Sequence, residues 1–287
     1  MTVRMKMANK QKLTGYLFIS PWLVGCLLLF VIPVAYSVII SLTKFTTSDI
    51  AGISLYNYRK AFVEDINFIP MFLNTMRDTV INTPLINVFA LFVAILLNKK
   101  MRLRGLFRSL FFLPVMLGTG FIMQQLLGQD IQQESMNLAR GIILPDEVLL
   151  YLGPSISEIA LDFMGRITLI MWRSGVQILI FLSGLQGISP SIYEAAKIDS
   201  ADGWQSFWLI TLPMLTPIIL LNIIYTIVDF FTDSSNGIVN YILDYGFKRN
   251  DFGYAASIGW LYFGFSFLLI VVVYLILNRF VKKVGDA

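Results

Sequence analysis

Several side chains are polar in stretches that are otherwise apolar. Arg173 and Gln177 lie four residues apart, and Asn222, Thr226, Asp229 and Asp233 recur at i, i+4, i+7 and i+11, with Tyr225 beside them. That recurrence places the second set on one face of a helix. Trp260 stands near the start of a further apolar stretch, between Ser257 and Tyr262. An amide, a carboxylate, a guanidinium and aromatic rings hydrogen-bond and stack, but they carry no obvious bond-breaking constellation. Polar groups inside apolar segments are costly and usually face a cavity or a partner helix. Two readings stand open. In one, Gln177, Asn222, Tyr225 and Asp229 line a path, with Arg173 near its outer mouth. In the other, Arg173 pairs with Asp229 and the amides join helices.

Covalent chemistry is disfavoured by what the chain lacks. It has no histidine and a single cysteine, Cys26, which removes the commonest general base and any internal disulfide. No Gly-x-x-x-x-Gly-Lys-Ser/Thr run occurs, so the chain has no such cradle for nucleotide phosphates. ATP and its magnesium must be bound by another polypeptide, and no cofactor or metal is expected in this one.

The elements that would position these residues are membrane-spanning helices. Of 287 residues, 56% are hydrophobic and 14% charged, with a mean hydropathy of +0.72; a water-facing surface needs about 25% charged residues. A spanning helix takes about 20 apolar residues. Six candidates are read at 16–42, 74–97, 106–127, 167–185, 213–232 and 255–280, after a basic tail at 1–15. The fold class expected is all-α and polytopic. The first stretch exceeds the usual core of a cleaved signal and reads as a retained helix. Pro84 and Pro114 inside spans suggest kinks. No internal repeat and no low-complexity tract is evident.

Orientation follows from Lys and Arg. The amino-terminal tail, the connection between spans two and three (Lys99 to Arg108), the connection between four and five (Lys197) and the carboxyl end together hold thirteen of the 22 basic residues and four of the 18 acidic ones. Both termini are therefore expected in the cytoplasm. The net charge of +4 is explained by this asymmetry, so no nucleic-acid partner is called for. The external connections 128–166 and 233–254 are long enough to cap a pathway or meet an outside partner.

Between the fourth and fifth spans, on the expected cytoplasmic side, lies SPSIYEAAKIDSADGWQSFWLITLP, Ser189 to Pro213. Ser189 and Pro190 suit N-cap and N1, and Ser191 with Glu194 fits a capping box. Asp199, Ser200, Asp202 and Gly203 offer a turn. Trp204, Phe207, Trp208 and Leu212 then form one apolar face suited to a headgroup boundary. The short first helix would face the cytoplasm with a small, Ala-rich surface, as a docking knob.

Glu194-Ala195-Ala196, followed by Ile210-Thr211-Leu212-Pro213, resembles the EAA loop of permease subunits of binding-protein-dependent ABC importers, whose pattern is E-A-A-x-x-x-G-x(9)-I-x-L-P. Ser200 stands where that pattern has glycine, and Gly203 is expected to supply the flexible position instead. Trp172, Gly184-Leu185-Gln186, Ile188-Ser189-Pro190, Leu17 to Pro21, Pro33 to Ser37 and Asn74-Thr75 are similar to signatures of the carbohydrate subfamily.

The resemblance implies a type I ABC importer permease fold in a bacterial cytoplasmic (inner) membrane. It implies a homologous second permease, two cytoplasmic ABC ATPase subunits and an extracytoplasmic solute-binding protein as partners. The ATPase-coupling residues it points to are Glu194, Ala195, Ala196, Asp199, Ala201 and Gly203. The transported solute is expected to be a sugar, an oligosaccharide, whose hydroxyls and ring faces suit Arg173, Gln177, Asn222, Tyr225, Asp229 and Trp260. Alternatives are an ABC permease for a non-sugar solute, or an ion-driven secondary transporter, whose usual inverted repeats are not found.

Overall fold

The protein is described here from a computed structural model, which covers residues 2–45, 50–99, 105–106, 109, 154–233 and 236–285. It is built almost wholly of helices: α1 (Thr2–Cys26), α2 (Ile32–Ser41), α3 (Tyr56–Arg59), α4 (Phe68–Asn98), α5 (Pro154–Arg173), α6 (Gly175–Gly187), α7 (Pro190–Ile198), α8 (Gly203–Ser206), α9 (Leu212–Thr232), α10 (Gly237–Leu243) and α11 (Phe252–Gly285). Strands β1 (Thr43–Phe45) and β2 (Ile50–Ile53) pair antiparallel, with Lys44 opposite Ala51 and Phe45 opposite Ile50. The fold is mostly helical as expected, and this short strand pair, whose Thr, Phe and Ile residues favour a pleated strand, is a local addition to it.

Among the described residues, four helical runs are long and apolar enough to cross a membrane: Thr14–Ser41, Phe68–Asn98, Gly203–Thr232 and Phe252–Arg279. Phe163–Arg173 and Gly175–Gly187 together make a fifth, bent by 56°. The fourth span, expected at 167–185, is thus bent, parting at Ser174 and Gly175, a Ser/Gly pair of the kind that kinks helices. Helix α5 also takes up residues 154–166, expected as part of a connection. The expected third span, 106–127, with Gln124 and Gln125, falls outside the described residues apart from positions 106 and 109. The tail expected at 1–15 is helical from Thr2.

Two wide turns have a common cause. Leu27–Val31 and Phe207–Thr211 each form a π turn, closed by the amides of Ile32 and Leu212 bonding five residues back. A proline follows at the next position in both, Pro33 and Pro213. Its ring would clash with the carbonyl four residues earlier, and the wider turn relieves that clash.

The chain divides into two compact units, one comprising Met1–Thr75 with Thr232–Phe267 and the other Met76–Phe231 with Leu268–Ala287. In the first, Ala61, Phe68, Ile238, Tyr254 and Ile258 are buried, and Phe72 meets Phe68 and Phe265 with ring centroids 5.5 Å apart in both pairs. The buried Asn57 donates to Ser41 O (3.1 Å) and Thr43 O (3.0 Å), clamping the end of α2 to the hairpin. Gly253 closes over this clamp; a Cβ there would lie 2.9 Å from Asn57 Nδ2. Lys60 pairs with Asp251 at 2.7 Å and rests over the Tyr254 ring at 4.2 Å.

Asp65 organises the same unit. Its carboxylate accepts from the amides of Asn67 (3.0 Å) and Phe68 (3.3 Å), starting α4. It also accepts from the phenols of Tyr241 (2.7 Å) and Tyr254. Helix α4 therefore begins six residues before the expected Asn74, with Pro70 tolerated in its first turn.

In the second unit the core is built by α4, α6 and α9: Ala90, Val93, Ala94, Leu97, Ile178, Phe181, Leu182, Leu185, Ile188 and Leu215. Helices α6 and α9 approach closely at Gly184, where a Cβ would sit 2.9 Å from Ile218 Cγ1 and 3.1 Å from Leu215 Cδ2. Much of the remaining apolar surface, including Phe18, Trp22 and Leu29 on the first helical run, is exposed. Exposed apolar surface on this scale needs lipid or a neighbouring chain to cover it.

Candidate functional site

Helix α7 starts at Pro190 after extended backbone at Ser189, as Pro at N1 favours. The Ser189 hydroxyl does not cap it; it pairs with Ser191 Oγ at 2.8 Å. The capping box expected at Ser191 and Glu194 is instead made by Asp202 and Gln205. The Gln205 amide donates to Asp202 Oδ1 (2.6 Å), and the Asp202 amide donates to Gln205 Oε1 (3.0 Å). A carboxylate at that position also suits the positive end of the following helical run, which Ser191, inside α7, cannot exploit.

The turn out of α7 is a Schellman motif. The amide of Ser200 reaches Lys197 O (3.1 Å) and that of Ala201 reaches Ala196 O (2.9 Å), as the motif requires. Ser200 itself has φ 61°, the left-handed conformation that glycine adopts without cost. The flexible position is therefore Ser200, where the family pattern has glycine, and not Gly203, which opens α8. The Ser200→Gly variant is expected to stabilise the protein by about 1 kcal/mol, raising the thermal midpoint of the purified protein by about 2–4 °C. An unchanged or lower midpoint contradicts the strain argument.

Helix α7 has two faces. Glu194, Ala195, Ile198 and Asp199 are exposed, with Ile198 at 83%, while Ala196 is buried. Ala201 is half-buried and Gly203 exposed. Ile192 and Tyr193 pack on the core cluster of α4, α6 and α9. Trp204 and Trp208 are both exposed, their rings 5.5 Å apart. Ile198, an apolar side chain standing in the open beside Glu194 and Ala195, was not singled out from the sequence; its i+4 spacing from Glu194 was the available signal.

The polar residues expected along a path fall into two groups. Gln177 (1% exposed), Asn222 (0%) and Thr226 (0%) are buried together with Asn87 of α4. Asn222 Nδ2 donates to Gln177 O (3.1 Å) and Asn87 Nδ2 to Thr226 Oγ1 (3.1 Å), while Gln177 Nε2 lies 3.4 Å from the same hydroxyl. The amides therefore do join three helices. The side-chain oxygens of Asn82, Asn87, Gln177 and Asn222 are buried with no donor among the described residues, and buried acceptors of that kind are uncommon and call for an explanation. Asn82 and Asn87 escaped the sequence reading because α4 is polar there only at scattered positions.

Arg173 and Asp229 pair at 3.8 Å, with the guanidinium 4.4 Å over the Phe230 ring. Tyr225 is half-buried beside them in sequence. Trp260 belongs to the other unit, where its indole N–H donates to Ser37 Oγ (3.1 Å). That unit also carries a cleft of about 310 Å³ lined by Lys44, Tyr56, Asn57, Lys60, Asn250 and Asp251. Its lysines are engaged by Tyr56 and Asp251.

Apolar helices long enough to span a bilayer, an amphipathic elbow and buried amides between helices describe a polytopic membrane protein. No protein-family model matches the chain. It is 31% identical over 273 residues to the probable ABC transporter permease protein YesP of Bacillus subtilis, covering 88% of this chain and 86% of that one. It is 27% identical to the lactose transport system permease protein LacF of Rhizobium radiobacter, covering 90% and 92%. Its fold matches a chain of the bacterial alginate ABC transporter, solved with an alginate pentasaccharide-bound periplasmic protein, with a TM-score of 0.70 over 97% of this chain and 99% of that one, at 17% identity. The chain belongs to the permease family of ABC transporters.

Proposed function

We propose that the chain is the membrane-spanning subunit of an ATP-driven importer that carries an oligosaccharide across the bacterial cytoplasmic membrane by alternating access. The reading rests on the near full-length likeness to permeases whose named solutes are sugars, lactose for LacF and arabinooligosaccharides for AraP. In it, six spans hold both termini in the cytoplasm. A homologous permease completes the pathway. Two separate ATPase subunits bind ATP and magnesium and seat on α7 and the turn after it through Glu194, Ala195, Asp199, Ala201 and Gly203, to which the exposed Ile198 is added, while the buried Ala196 backs that surface. An extracytoplasmic binding protein delivers the sugar.

The buried amide cluster is assigned to the solute pathway. A sugar is rich in hydroxyl donors, and the oxygens of Asn82, Asn87, Gln177 and Asn222 are acceptors without donors among the described residues. As the helices part during transport, those acceptors meet the passing hydroxyls. Arg173, Tyr225, Asp229 and Trp260 are proposed as further contacts along the route.

The test is uptake into vesicles holding the whole complex. Import that depends on ATP and is insensitive to ionophores supports the importer, and ionophore-sensitive uptake without ATP overturns it. Asn222→Leu and Gln177→Leu are expected to lower uptake roughly tenfold, about the worth of one lost hydrogen bond in the rate-limiting state. Full uptake by normally expressed variants removes both residues from the pathway.

A further inference from the structure

Helix α7 touches the rest of its unit through a second, polar connection. Tyr193 Oη lies 2.9 Å from Thr211 Oγ1, and Thr211 Oγ1 donates to Ser206 O at 3.2 Å. A threonine hydroxyl has one proton, and here it is committed to Ser206. The Tyr193 phenol is therefore the donor, and the two bonds run in one direction, from α7 through Thr211 to the last residue of α8. Thr211 is buried and is the last residue of the π turn that leads into α9. Three segments converge on this one hydroxyl: the two-faced helix, the amphipathic elbow and the base of a span.

The surroundings make the connection stiff. Ile192 and Tyr193 pack on the buried cluster built by α4, α6 and α9. Ala196, one turn beyond Tyr193, is buried on the same side. Apolar packing alone resists separation but allows a short helix to slide or roll. A hydrogen bond inside a mostly buried pocket adds direction, because its geometry fails with small displacements.

We propose that Tyr193 is a positioning residue for energy coupling: its bond to Thr211 locks the orientation of α7 to the base of α9, so that a push received on the exposed face of α7 turns the span instead of being lost in rolling of the short helix. The proposal rests on the reading of α7 as the ATPase contact. Along α9, Asn222 and Thr226 follow Thr211 by 11 and 15 residues, so the span locked at its base is the one that carries the amide cluster.

The experiment measures solute imported per ATP hydrolysed by the whole complex in liposomes. Tyr193→Phe keeps the ring and its packing and removes only the donor. It is expected to leave ATP hydrolysis within about twofold while import falls about tenfold, the loss of roughly one hydrogen bond's worth of coupling. Thr211→Val should reproduce the effect, Thr211→Ser should preserve coupling, and Tyr193→Phe with Thr211→Val should be no worse than either alone, because both remove the same bond. An unchanged import-to-hydrolysis ratio in Tyr193→Phe and Thr211→Val overturns the proposal. So does a proportional fall of both rates, which marks a bond that only stabilises the fold. A wild-type complex showing no ATP-dependent import would instead overturn the importer reading on which the proposal stands.

Discussion

Replacing Gly184 by valine is expected to leave little folded protein. The Cβ of any residue at this position falls 2.9 Å from Ile218 Cγ1, 3.0 Å from its Cγ2 and 3.1 Å from Leu215 Cδ2, and valine adds two methyl groups to an already closed interface. Overpacking of this kind costs about 1–3 kcal/mol and occasionally more, and an interface between helices in lipid gains most of its energy from close packing. Gly184→Ala should lower the thermal midpoint in detergent measurably, and Gly184→Val should prevent accumulation of a monodisperse protein in size-exclusion chromatography. Combining Gly184→Ala with Ile218→Ala removes both contacting carbons, Cγ1 and Cγ2, and should recover part of the loss. Wild-type behaviour of Gly184→Val would show that α6 and α9 do not pack as described.

The second large effect belongs to Asp65. Burial raises its carboxyl pKa, but hydrogen bonds from the Tyr254 and Tyr241 phenols and from the amides of Asn67 and Phe68 outweigh burial, and the net direction is downward from the ordinary value. Asp65→Ala removes all four bonds at once and strands the phenol of Tyr254, a residue 0% exposed. A hydrogen bond to a charged group contributes about 1.5–3 kcal/mol net, and the freed amides recover part of this by bonding to water. A loss of about 3 kcal/mol of local stability is expected, read as faster amide exchange across α10 and the start of α4. The sign of the pH dependence follows from the depressed pKa. The contribution of Asp65 is fully present above the ordinary carboxylate range near 4 and is lost as pH falls through the lower folded value. Protection from exchange in this unit, taken relative to the intrinsic rate at each pH, should thus be flat with respect to this group from about pH 5 to 8 and be lost only in stronger acid. Loss of protection already at pH 6 would mean that another group governs the unit.

What could be read from residue order follows from range. Long apolar runs with Lys and Arg at their ends report on the membrane directly, so the stretches at 74–97, 213–232 and 255–280 coincide closely with α4, α9 and α11. Helix ends were harder. The start of α4 is set by Asp65, whose phenol partners Tyr241 and Tyr254 lie more than 170 residues away, and local propensity carries no trace of them. The break at Ser174 and the hairpin after α2 were missed for a similar reason. A single Ser-Gly step and seven strand residues are weak signals until Asn57 fixes the latter by bonding two carbonyls.

The elbow was legible in outline and misassigned in detail. Ser-x-x-Glu and Asp-x-x-Gln are equivalent on paper as capping boxes, but Ser191 lies inside a helix that Pro190 has already begun, which leaves Asp202 as the true boundary. Gly203 was favoured for the flexible position because it is a glycine, whereas the Schellman bonds fix Ser200 at the left-handed site whatever side chain it bears. Among the pathway candidates, the helical spacing of Asn222 and Thr226 correctly put them on one face. That this face meets Asn87 and Gln177 is a tertiary fact.

The π turns at Leu27–Val31 and Phe207–Thr211 leave the chain with a residue to spare before each of two prolines. Deleting one residue within 207–211 would return that turn to ordinary α geometry and keep the phase of everything beyond it nearly continuous. The same deletion a few residues later, inside α9, would swing Asn222 and Thr226 about 100° around the axis and away from Asn87. Tolerance to length change is therefore concentrated at the foot of the span, and the register of its upper part is held fixed by contrast.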